Sequence, residues 1–240
     1  MRKTIAHMVM TFVLKIYIMK ALNQTIENLY SVFSHYTIES NLRDRCCDCC
    51  VTNYEIKSLL SKQLKNLNKD DIGHFMRSAI TTYGDVNDYK HFLPRILELL
   101  VNNESLVDDF LTFEKLNYSQ WLKWDLKEIK AIKKYFELLL QKSIENELTN
   151  VSDFIFLNLE YNDISLLEAI IIDSKSEKLL LKIVDDIIYE YKYPIDKRLS
   201  KIYSNKKILN KLESLFFRTK NENDANRISI AYTILEQNEN

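Results

Sequence analysis

Glycine and proline are almost missing from this chain of 240 residues, which contains only two of each. Glycine supplies the positive φ angles of tight turns, and both residues are frequent in the turns that join β-strands. A fold built mainly from β-hairpins is therefore not expected. The shortage also argues against a glycine-rich phosphate loop and against the glycine pattern of dinucleotide-binding folds, because each needs several glycines in one short segment.

A strong excess of charge of one sign is also missing, since the formal net charge is −1. Nucleic-acid binding by a broadly basic surface is therefore not expected. The sequence also contains no H-E-x-x-H zinc motif and no G-x-S-x-G nucleophile motif. These absences favour a non-enzymatic protein over an enzyme.

The four cysteines lie within five residues, at Cys46, Cys47, Cys49 and Cys50. A secreted disulfide framework would spread them along the chain, so the clustering indicates an intracellular, cytoplasmic protein. The pairs 46/49 and 47/50 each have the C-x-x-C spacing that lets two thiolates reach one zinc ion. There is no second, separate C-x-x-C pair, so further ligands would come from the extra cysteines or from a histidine such as His91. Ordinary thiols, a metal site and a redox pair all remain open.

Helical periodicity runs through most of the chain. One apolar face recurs at helical spacing from Ile72 to Tyr83, with Asn68 as the N-cap and Gly84 as the left-handed residue that ends the helix. Asp85 or Asn87 then caps a second helix, in which Pro94 produces a kink or starts a new helix. Similar patterns predict further helices over 22–33, 53–60, 104–113, 122–146, 154–162, 165–173, 180–191, 208–216 and 228–235.

Four polar residues share one side of the helix that follows Asp85. Asp88, His91, Arg95 and Glu98 stand at helical spacings of i, i+3, i+7 and i+10. Two carboxylates, an imidazole and a guanidinium could form a polar network or an anion-binding face. The alternative is a solvated helix surface with weak ion pairs, each stabilising by roughly 0.2–0.5 kcal/mol.

The stretch from Ala79 to Leu100 resembles a motif of an uncharacterised bacterial protein family. The matching residues are Ala79-Ile80-Thr81-Thr82-Tyr83-Gly84-Asp85-Val86, then Asp88-Tyr89-Lys90-His91-Phe92-Leu93-Pro94-Arg95-Ile96, then Glu98-Leu99-Leu100. In that family a C-x-x-C pair lies a few tens of residues upstream. The resemblance covers about residues 45–100 and implies a soluble helical domain in which Cys47 and Cys50 form the pair. It implies no reaction, and Cys46 and Cys49 depart from the family pattern.

Residues 1–18 are largely apolar and begin with Arg2 and Lys3, as a signal peptide would. However, His7 and Lys15 interrupt the apolar run, which is also short for a membrane span. A translation start at Met19, a genuine extra helix and a membrane anchor are the three interpretations. The remainder, 19–240, is expected to form one domain with a weak internal boundary near 146–150.

Taken together, the sequence predicts an all-α protein of antiparallel helical hairpins, or a short solenoid-like stack. The leading interpretation of function is a helical scaffold that binds a protein partner, because helical stacks present continuous grooves. The alternative is a zinc-bearing regulatory or catalytic protein that uses Cys47 and Cys50. A membrane role is expected only if residues 1–18 are an anchor.

Overall fold

The computed structural model is all-α, as predicted. It describes residues 2–38, 41–102, 109–146, 165–174, 176–190 and 197–238. Within these ranges the helices are α1 (Arg2–Val32), α2 (Asn53–Leu59), α3 (Lys69–Ser78), α4 (Val86–Val101), α5 (Asp109–Tyr118), α6 (Leu126–Asn146), α7 (Ser165–Asp173), α8 (Glu177–Glu190), α9 (Lys197–Tyr203), α10 (Lys206–Arg218) and α11 (Glu222–Asn238). The solenoid-like stacking stays a prediction.

The chain divides into two compact units, Met1–Leu139 and Leu140–Asn240. The first unit contains the cysteines and the whole stretch from Ala79 to Leu100. In the second unit, α11 packs against both α8 and α10. The predicted boundary near 146–150 falls largely outside the described residues and stays a prediction.

Helix α1 passes without interruption from Arg2 to Val32, so the predicted first amphipathic helix is its C-terminal third. Leu22, Ile26 and Leu29 are buried on the side that faces the rest of the first unit, where α1 packs against α4. Over the part of the chain that the structure describes, no helix combines the length and apolar character that crossing a membrane requires.

Helix α4 lies at the centre of the first unit. Eleven of its sixteen residues are buried, so its polar residues lie on a packed helix and not on a solvated surface. Pro94 is inside this helix and is itself buried. The prediction that a new helix begins at Pro94 is therefore wrong, because the helix continues through the proline to Val101.

The predicted helix from Ile72 to Tyr83 ends early, at Ser78. After Ser78 the backbone turns, with Ile80 at a positive φ of 69°, and the amide of Tyr83 donates to the carbonyl of Ser78 over 3.1 Å. Tyr83 then forms an antiparallel bridge with Cys46. A left-handed isoleucine costs roughly 1–2 kcal/mol, so no local signal would predict this turn. The pairing with the cysteine segment stabilises it instead.

Several smaller predictions also need correction. The predicted helix over 122–146 begins at Leu126, which is 65% exposed, and a 3-10 turn, Trp121–Lys123, precedes it. Another 3-10 turn, Leu42–Arg45, lies directly before the cysteines. Helix α9 was not predicted from the sequence, whereas α7 has the predicted bounds. The predicted helix over 154–162 and the start of the predicted helix over 104–113 lie outside the described residues.

Candidate metal centre

A tight turn gathers three of the four thiols. The amides of Cys50 and Val51 both donate to the carbonyl of Cys47, over 3.2 and 3.0 Å. The Sγ atoms of Cys47 and Cys49 are 3.0 Å apart, and those of Cys49 and Cys50 are 3.5 Å apart. All three sulfurs lie within 4.8 Å of one another, at a position where Cys49 and Cys50 are exposed to solvent.

Backbone hydrogen bonds fasten this turn to the segment before α4. The amide of Cys47 donates to the carbonyl of Thr82 over 2.8 Å, and the amide of Gly84 donates to the carbonyl of Arg45 over 3.0 Å. These two bonds flank the bridge between Cys46 and Tyr83. The cysteine turn and the stretch from Ala79 to Leu100, which are separate in the sequence, therefore form one structural element.

Two arginines support the turn with their side chains. Arg45 donates from Nε and Nη2 to the buried carboxylate of Asp88, over 2.8 and 2.7 Å. Arg43 donates to the carboxylate of Asp48 over 2.6 Å and to the carbonyl of Val51. Bidentate contacts between a guanidinium and a carboxylate restrict orientation as well as adding energy. The turn is thus held from the inside by Arg45 and along its rim by Arg43.

The electrostatics of the thiols differ within the cluster. Hydrogen bonds from the thiols of Cys49 and Cys50, and from their backbone amides, lower the pKa of Cys47 to about 7. The hydrogen bonds with Cys47 and Cys49 raise the pKa of Cys50 to about 12. Close to neutral pH Cys47 is therefore partly in the thiolate form, which is the form of cysteine that binds metals.

The structure brings together Cys47, Cys49 and Cys50, but neither Cys46 nor His91 belongs to this group. The thiol of Cys46 donates to the carbonyl of Leu42 over 3.1 Å, and burial raises its pKa. His91 has its Nδ1 atom 2.7 Å from the carbonyl oxygen of Tyr36.

The four polar residues predicted to share a helix side have different partners. Asp88 binds Arg45, and His91 binds the backbone of Tyr36. Arg95 donates to the carbonyl of Leu67 and to Glu98, each over 2.6 Å. Tyr30 donates to the same Glu98 oxygen over 2.6 Å, and this bond together with burial raises the pKa of Tyr30. These contacts fix α4 to its neighbours and do not form one exposed anion-binding face.

Sequence reasoning missed a buried charged cluster on the other side of α4. The ammonium of Lys90 donates to Glu128 over 2.8 Å and to the hydroxyl of Tyr36 over 2.9 Å, and it lies 4.3 Å from the ring centroid of Trp124. Tyr36 donates in turn to Glu128 over 2.6 Å. Lys90 lies at a position of α4 where the helical period places an apolar residue. A lysine at such a position was the sequence signal for a buried charge.

The three-thiol group fits a thiophilic metal ion. Two sulfurs bound to one tetrahedral zinc at 2.3 Å are about 3.8 Å apart. The observed separations of 3.0 and 3.5 Å are each less than 1 Å shorter than that distance. Small side-chain rotations would therefore be sufficient, and the backbone turn would not have to open.

Comparisons with protein-family models, with curated proteins and with solved structures found no match. The resemblance of residues 45–100 to a bacterial family therefore stays a prediction.

Proposed function

We propose that this protein binds a zinc ion through the thiolates of Cys47, Cys49 and Cys50. The observation that carries the proposal is the convergence of the three sulfurs within 4.8 Å on one exposed turn. Three thiolates supply three of the four ligands of a tetrahedral zinc ion and leave one position for water or for a ligand from another molecule. Thiolates also select soft and borderline metals over magnesium and calcium.

The backbone of the turn supports the same proposal. Hydrogen bonds from the thiols of Cys49 and Cys50, with a further contribution from their backbone amides, stabilise the negative charge on Cys47 and lower its pKa. Metal affinity depends on the cost of deprotonating the ligands, which the lowered pKa of Cys47 decreases and the raised pKa of Cys50 increases. The hydrogen bonds from Cys47 to Thr82 and from Gly84 to Arg45 hold the turn in place before any ion binds.

The test is the metal content of the full chain purified without chelator, measured by elemental analysis. We expect about one zinc ion per chain, and we expect Cys47→Ser, Cys49→Ser and Cys50→Ser each to lose it. Cys46→Ser is the matched control, because its thiol is engaged with Leu42 and does not join the cluster. Absence of zinc from the unaltered chain after incubation with zinc salts, or an equal loss in Cys46→Ser, would contradict the proposal.

A second candidate function is a helical scaffold that holds a protein partner, with the metal turn as part of the binding surface. The observation that favours it is the exposure of Tyr54 and Leu60, which are 79% and 44% accessible on or at the end of α2, directly after the cysteines. Tyrosine is enriched among residues that dominate protein interfaces. Cross-linking of the full chain in cell extract, compared with Tyr54→Ser, tests this function. Identical cross-linked partners at equal yield would contradict a role for this surface.

A further inference from the structure

Two sulfur contacts in the turn join residues that do not have the C-x-x-C spacing. Cys47 and Cys49 have their Sγ atoms 3.0 Å apart, whereas Cys49 and Cys50 are separated by 3.5 Å. Both distances are much longer than the bond of about 2.05 Å in a disulfide, so the thiols are reduced and in contact. We propose that this turn is a thiol–disulfide exchange centre in which Cys47 attacks a small-molecule disulfide and Cys49 closes the ring.

The exchange is balanced in two steps. In the first, the sulfur of Cys47 attacks one sulfur of the disulfide R–S–S–R, the Cys47–S–S–R bond forms, and one R–S⁻ leaves and takes up a proton. In the second, Cys49 releases its proton to solvent and attacks the Cys47 sulfur, so that a Cys47–Cys49 bond forms and the second R–S⁻ leaves. Two electrons pass from the two cysteine sulfurs to the small disulfide, which becomes two thiols.

The geometry separates Cys49 from the other candidates for the second step. A disulfide between the neighbours Cys49 and Cys50 is disfavoured by distance. The α-carbons of adjacent residues are about 3.8 Å apart, whereas those joined by a disulfide are usually about 4.4–6.8 Å apart. Cys46 is directed to the carbonyl of Leu42 over 3.1 Å and does not join the cluster. Cys50 belongs to the same cluster, and the second step is assigned to Cys49 because its sulfur is in contact with that of Cys47 at 3.0 Å.

Access is the other requirement, and the turn meets it. Cys49 and Cys50 are exposed, and Cys47 is partly exposed, so a small disulfide can reach the cluster without opening of the fold. The hydrogen bonds that hold the turn come from backbone atoms and from Arg43 and Arg45, and none of them uses the Sγ atom of Cys47 or Cys49. Bond formation between these sulfurs therefore leaves the supports of the turn in place.

This activity uses the same turn as the proposed zinc site but needs no metal, so the two are tested separately. The full chain is reduced, stripped of metal with a chelator and equilibrated with mixtures of reduced and oxidised glutathione. Alkylation of the remaining thiols and peptide mass mapping then identify the bonds. We expect a Cys47–Cys49 disulfide in the unaltered chain, in Cys50→Ser and in the matched control Cys46→Ser.

In Cys49→Ser we expect the Cys47–glutathione mixed disulfide, which is transient in the unaltered chain, to become the main product. Unchanged helical circular dichroism checks that each variant is folded. Absence of any disulfide, a Cys47–Cys50 bond in the unaltered chain, or failure of the mixed disulfide to accumulate in Cys49→Ser would each overturn the proposal. A chain that binds zinc but does not exchange would overturn only this inference, and a chain that exchanges without binding zinc would contradict only the metal proposal.

Discussion

Arg45 and Asp88 form a two-pronged ion pair that joins the residue before the cysteines to the first turn of α4. The guanidinium donates over 2.8 and 2.7 Å, and the Asp88 side chain is only 3% exposed. One oxygen of the same carboxylate accepts the amide of Asp85 over 2.9 Å and so completes the capping box of α4. A single carboxylate thus caps the central helix and positions the thiol turn.

We expect Asp88→Asn to lower the free energy of unfolding of the first unit by about 2–3 kcal/mol, because it removes the buried negative charge that accepts two hydrogen bonds from the guanidinium of Arg45. Both tryptophans, Trp121 and Trp124, lie in the first unit, so denaturation followed by tryptophan fluorescence reports on that unit. Asn87→Ala is the control, because Asn87 is exposed in the same helical turn and makes no ion pair with Arg45. Equal stabilities of the two variants would show that the Arg45–Asp88 ion pair contributes nothing measurable.

Gly84 is expected to tolerate no side chain. Its φ is +71°, and a Cβ atom there would lie 2.8 Å from Oδ2 of Asp88. We expect Gly84→Ala to destabilise the first unit by about 2 kcal/mol or more, because the left-handed conformation and the displaced carboxylate both cost energy. Asn87→Ala, at an exposed position of the same turn, is expected to change stability by less than about 0.5 kcal/mol. A loss below about 1 kcal/mol in Gly84→Ala would mean that Asp88 moves aside without cost.

The buried pair of Lys90 and Glu128 should show strong coupling. Their side chains are 9% and 2% exposed, so removal of one partner leaves an uncompensated charge in the interior. We expect Lys90→Met or Glu128→Leu alone to destabilise by about 3–5 kcal/mol, and the double variant to cost clearly less than the sum.

The same unfolding measurement gives the coupling energy from the four combinations of the two substitutions. Lys134→Met is the matched control, since its bond to Glu137 is on the surface, with the lysine side chain 54% exposed. Such surface pairs contribute at most about 1 kcal/mol. If the losses of unfolding free energy for the two single variants add up in the double variant, Lys90 and Glu128 do not stabilise each other and each is held by different groups.

The helix starts could be predicted from the sequence because their signals are local. Thr52, Asn68 and Asp85 each form a capping box with an acidic residue three positions later. Asn68 was expected as an N-cap from residue type and spacing, and Asp85 was one of two candidates for the cap of α4. The periodicity of apolar residues predicted α7 and most of α10 for the same reason. Local chemistry decides these features before tertiary contacts form.

The end of α3 and the composition of the thiol cluster were not predictable in this way. The helix ends at Ser78 because Tyr83 pairs with Cys46, which is distant in sequence. The spacing of the cysteines left the pairs 46/49 and 47/50 equally open, because the inclusion of Cys49 and the exclusion of Cys46 depend on the turn that this pairing supports. Likewise, Lys90 and Glu128 meet only after α4 and α6 pack.

In metal-free protein, Cys47 is expected to react with an alkylating reagent at lower pH than a simple thiol does. The pKa of Cys47, about 7, is below the usual cysteine value of about 8.5, so about half of the Cys47 thiol is ionised near pH 7. We expect the rate of alkylation of Cys47 by iodoacetamide to rise with pH and to reach half of its maximum near pH 7. Removal of the thiol of Cys49, the principal hydrogen-bond partner, by Cys49→Ala should move this midpoint upward, whereas Cys46→Ser should leave it unchanged. Peptide mass mapping across a pH series gives the rates, and a midpoint near that of a simple thiol in the unaltered chain would show that the turn does not stabilise the Cys47 thiolate.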